Sequence, residues 1–86
     1  MSEQRAMKRV TIAVACREAW ESRLVERIAG VADGMRLQHG FNYAQVHACF
    51  CESLSKEISL ADFDEILRLA DEGYTGTLAG LKRGIR

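Results

Sequence analysis

Apolar positions recur along this chain at spacings of three and four, which predicts amphipathic helices rather than strands. Between about Arg5 and His39, one stripe runs through Val10, Ala13, Val14, Trp20, Leu24, Ile28, Val31 and Met35. The spacing predicts one long N-terminal helix. Arg17 and Glu21 interrupt the stripe, and Ile12, Cys16 and Ala19 form a weaker one on another side. A helix with two apolar faces packs on its own domain with one and on a partner with the other. Gly34 and Gly40 are candidate helix stops, so residues 33–42 read as a frayed end and a loop. Asn42 is a candidate N-cap, followed by Tyr43, Val46, Phe50 and Leu54 on one face of a helix spanning about 42–56. Ser59 caps a further helix over 60–72. Its buried face is Leu60, Phe63, Ile66, Leu67 and Ala70, and Gly73 closes it. Arg68 is placed to pair with Asp64 and Glu65. Leu78, Leu81 and Ile85 share a face in the tail, but Gly76, Gly80 and Gly84 weaken any helix there. The tail reads as a weak C-terminal helix that needs a surface to fold on.

The expected fold is therefore all-α, a small bundle of three to four helices. One stretch allows an alternative. Val10, Ile12, Val14 and Cys16 alternate with Thr11, Ala13 and Ala15, the period of a half-buried strand. A basic start, one short strand and then a helix resembles the opening of a ribbon-helix-helix DNA-binding dimer. The frequency of alanine and the lack of a turn signal near Cys16 favour the helix.

Length and composition narrow the picture further. Eighty-six residues make one domain, 1–86, with 1–5 and 82–86 expected to fray. The chain is 48% hydrophobic and 28% charged, ordinary values for a folded domain, and it lacks proline. Basic and acidic residues balance at twelve each, which argues against a surface that is polyanion-binding throughout. The distribution is uneven. Residues 1–40 carry a net charge of +2, residues 41–80 a net of −5, and residues 81–86 a net of +3. Three cysteines at uneven spacing are not a disulfide framework. No apolar stretch is long enough for a membrane span, and no secretory cleavage site follows Val10–Cys16. A cytoplasmic location is the expectation.

Candidate chemistry is sparse. His47 and Cys51 stand four apart, on one side of a helix, and could chelate one ion, while Cys49 points roughly opposite to His47. A structural metal site needs more ligands than this, so the two cysteines read as small hydrophobes flanking the apolar face. A Cys–His nucleophilic pair would also need an orienting group and a pocket. No phosphate loop, nucleophile elbow or zinc-protease motif is present. The expectation is a protein that is not an enzyme, with no metal and no cofactor.

The remaining candidate is the acidic helix. Leu69 lies about 110° from the centre of the buried stripe, between Asp62, Glu65 and Glu72. An apolar residue framed by carboxylates is a candidate contact for a partner protein. The expected function is a small helical protein-protein interaction or regulatory module, homodimeric, that acts by binding a partner. The alternative is a nucleic-acid-binding regulator using Arg5, Lys8, Arg9, Lys82, Arg83 and Arg86.

Overall fold

The structure, a computed structural model, describes the backbone of residues 2–81 and the side chains of residues 11–81. Among these residues the fold is an all-α bundle of four helices and one 3₁₀ turn: α1 (Ser2–Ser22), α2 (Val25–His39), α3 (Tyr43–Leu54), α4 (Leu60–Asp71) and η1 (Leu78–Gly80). Residues 9–16 lie inside α1, so the strand alternative is not formed.

The long N-terminal helix is in fact two. Arg23 takes a left-handed conformation (φ 59°) and Leu24 is extended, which turns the chain between α1 and α2. Ser22 marks the break. Its hydroxyl donates to the Ala19 carbonyl and accepts from the Leu24 N–H at 3.2 Å. A serine oxygen that satisfies a freed backbone donor competes with the helix at this point. Leu24 then pairs with Thr77 in an antiparallel bridge. Val25 N–H donates to the Gly76 carbonyl (3.1 Å) and Leu78 N–H donates to the Arg23 carbonyl (2.8 Å).

This break resets the helical phase. The stripe that joins Val10 and Val14 to Ile28 and Met35 belongs to no single helix. Cys16, Ala19 and Trp20 are the buried residues of α1, with Ile12 packed beside them. The weaker stripe is thus the core face. Gly34 does not end α2, which runs to His39 and stops at Gly40 in the left-handed conformation (φ 66°), its N–H bonded to the Met35 carbonyl.

The later helices are set by local chemistry. Asn42 and Gln45 form a reciprocal capping box at the start of α3, each side chain accepting the other's backbone N–H at 2.9 Å. Ser59 accepts the Asp62 N–H at 3.1 Å and starts α4. Gly73 (φ 94°) turns the chain after it. Arg68 pairs with Glu72 at 3.3 Å, one turn after it, whereas the acids expected for it lie one turn before.

The core runs between α1, α2 and α3 on one side and α4 on the other. Phe63 of α4 is fully buried, with the rings of Tyr43, His47 and Phe50 of α3 at 5.7, 5.4 and 5.4 Å. Aromatic edges and faces at this spacing attract beyond simple area burial. The tail is a strap rather than a helix over its described part. Leu78 and Leu81 are buried in the core, and Tyr74 lies across Gly76 and Gly80, where a side chain would collide with its ring. The Tyr74 hydroxyl donates to the Thr77 carbonyl at 3.0 Å. Two of the tail glycines therefore make room for Tyr74. The third, Gly84, and the ends expected to fray at 82–86 lie outside the described residues.

Two stability measurements check this account. Leu78→Ala should cost about 2–4 kcal/mol in chemical denaturation, because the strap is core and not ornament. Ser55, exposed and left-handed at φ 51° after α3, should gain about 0.5–1 kcal/mol as Ser55→Gly.

Candidate functional site

Several surface grooves with charged linings separate the helices, and one of them combines carboxylates and arginines from two helices. It lies between α2 and α4, which pack against each other, and encloses about 600 Å³. Ala29, Leu67 and Ala70 give it apolar walls. Glu26 and Asp33 come from α2, and Asp64 and Asp71 from α4. Arg36 and Arg68 also line it, and Arg68 is already bonded to Glu72. The groove is thus acidic in net charge, with apolar walls.

A second opening, about 300 Å³, lies between α1 and α2 and is lined by Glu18, Arg27 and Val31 among others. Gly30 lines both openings. No side chain stands on the ridge between them, and a Cβ built at Gly30 or Gly34 would meet nothing within 4 Å. Next to this notch Leu37 is 86% exposed, the most exposed of the large hydrophobic residues.

The acidic patch expected on α4 is only partly a surface. Leu69 is half-buried and packed against the core, and its carbonyl accepts the Tyr74 N–H at 2.9 Å. The strap after Gly73 comes back on that side of the helix. Asp62 and Glu65 are half-buried, and Glu72 is exposed and holds Arg68. The carboxylates therefore do not frame a free leucine. Of the basic set, Arg5, Lys8 and Arg9 have side chains outside the described residues, as do Lys82, Arg83 and Arg86. The helical course of residues 9–16 removes the strand that linked them to DNA binding.

His47 and Cys51 do come together, with Sγ 3.5 Å from Nε2. The same nitrogen lies 2.6 Å from the Ile58 carbonyl, which can only accept, so Nε2 carries the proton and donates it. A nitrogen that donates has no lone pair left for a metal or for a thiol proton. His47 instead ties α3 to the residue before the Ser59 cap, with its ring edge against Phe63. Among the described residues, no three His, Cys, Asp or Glu side chains are grouped to hold a metal ion. No helix among them is long and apolar enough to cross a membrane.

The cysteines behave as core. Burial pushes the Cys16 thiol up to about 11, against a hydrogen bond from Ser53 that works the other way. Burial, with Glu52 nearby, also raises Cys49. The residues that sequence reasoning missed are those of α2: Glu26, Arg27, Gly30, Asp33 and Leu37. The signal for them was Gly30 and Gly34 inside a stretch with a later, stronger stop at Gly40–Asn42.

The fold defines the class: a small all-α bundle. Comparison with family models, with curated proteins and with solved structures gives no match.

The Cys16 environment sets a pH dependence with a definite sign. The folded thiol keeps its proton to about pH 11, while the unfolded thiol loses it from about pH 9. The unfolded state is therefore favoured as pH rises through that window. Wild type should lose roughly 2–3 kcal/mol of stability between those limits that Cys16→Ala does not lose, read from denaturant midpoints. In the native protein at neutral pH, a thiol-specific reagent should leave Cys16 unmodified.

Proposed function

We propose that this chain is a small helical interaction module that associates with itself and binds a partner protein. One observation carries the reading. A large apolar side chain, Leu37, is 86% exposed on α2, beside Gly30 and Gly34, where an added Cβ would meet nothing within 4 Å among the described residues.

Other features agree with it. The core is thin: the buried hydrophobic set includes three alanines and a cysteine. A thin core gains by association, since a partner that binds only the folded chain stabilises it. Leu37 and Leu60 are large, apolar and exposed. The charged groove supplies recognition and orientation rather than catalysis. Acid-base work by its carboxylates would need a sheltered pair with separated affinities for protons, and the groove is open.

Size-exclusion chromatography with light scattering tests the reading. A dimer is expected at micromolar concentration, with a melting temperature that rises with protein concentration. A strict monomer whose melting temperature is independent of concentration would overturn self-association.

A further inference from the structure

We propose that the outer face of α2, centred on Gly30, is the surface on which two copies of this chain pair, with their α2 helices running in the same direction. The inference rests on the self-association reading above and adds the face and its geometry.

Gly30, Gly34 and Leu37 lie within about 60° of one another on the helix. The buried side of α2 is elsewhere, through Val25, Ile28, Ala32 and Met35. Each glycine weakens a helix interior by about 1 kcal/mol against alanine. Nothing among the described residues explains them, because a side chain at either position would meet no described neighbour within 4 Å. What the glycines permit is close approach by another backbone. Leu37, 86% exposed, supplies the apolar contact at the same face.

Charge selects the occupant. Glu26 and Asp33 flank the face on the α4 side, in the larger groove, with Arg36 of α2 further round the helix on that side, and all three are exposed. Arg27 flanks it on the α1 side, in the smaller groove that Glu18 also lines. A two-fold axis close to the helix direction interchanges the flanks, so that Arg27 of one copy meets Glu26 and Asp33 of the other. A two-fold axis across the helix would set acid against acid and Arg27 against Arg27. The face is thus complementary to itself in the parallel arrangement alone.

The experiment is sedimentation velocity of the full chain over a concentration series. The variants are Gly30→Ala, Arg27→Glu and the double variant Glu26→Arg with Asp33→Arg. Gly30→Ala should weaken the dimer about tenfold or more while leaving the isolated protomer as stable or more so, since its methyl group has open space. Each charge variant alone should weaken the dimer to the same degree, and an equimolar mixture of the two should restore it as a heterodimer. A dimer of unchanged affinity in all three variants would overturn this face and leave self-association standing. A wild-type chain that stays monomeric at about 100 µM would remove both.

Discussion

The two backbone hydrogen bonds between the α1–α2 turn and the strap hold together what the helices alone would not. The turn places Arg23, a residue with a Cβ, in the left-handed region, which costs on the order of 1 kcal/mol. Leu24 is then extended, with its neighbours' N–H and carbonyl groups pointing outward. The strap meets those groups through Gly76 and Leu78 and delivers Leu78 into the core. With this bridge in place, α2 can fold back along α1, and α4 can lie on α2. Both the groove and the notched face exist because α2 is a separate helix with its own outward side.

The parts of the fold legible in the sequence are those decided within four or five residues. Asn42 with Gln45, Gly40 with Met35, Ser59 with Asp62 and the turn at Gly73 each satisfy backbone groups nearby, so residue identity was enough. The break at Arg23 was not legible. No glycine or proline marks it, and its partner Thr77 lies more than fifty positions away in the chain. Continuous periodicity across it joined two stripes that belong to different helices. The same return of the strap covers Leu69, which helical geometry by itself places on the surface.

The site shows the same division. The pairing of His47 with Cys51 followed from helical spacing. What the histidine does followed only from the Ile58 carbonyl, brought in by the loop before α4. A ring that looked like a ligand is a clasp. Gly34 reads as an ending when seen alone, and as helix interior once Gly40 is seen to end α2. Gly76 and Gly80 carry the opposite lesson, since those two are explained within the chain by the ring of Tyr74.

The strap also constrains when the fold can form. Its bridge to Leu24 uses residues 76–78, and its apolar anchors are Leu78 and Leu81. On a ribosome, which holds the newest residues out of reach, the turn between α1 and α2 would have no partner until these residues emerge. Helices could form early, as they depend on neighbours. The closed bundle waits for contacts that span most of the chain, and such contacts are late to form. The helices are thus local, and the closed bundle is not: it depends on residues 23–25 meeting residues 76–78.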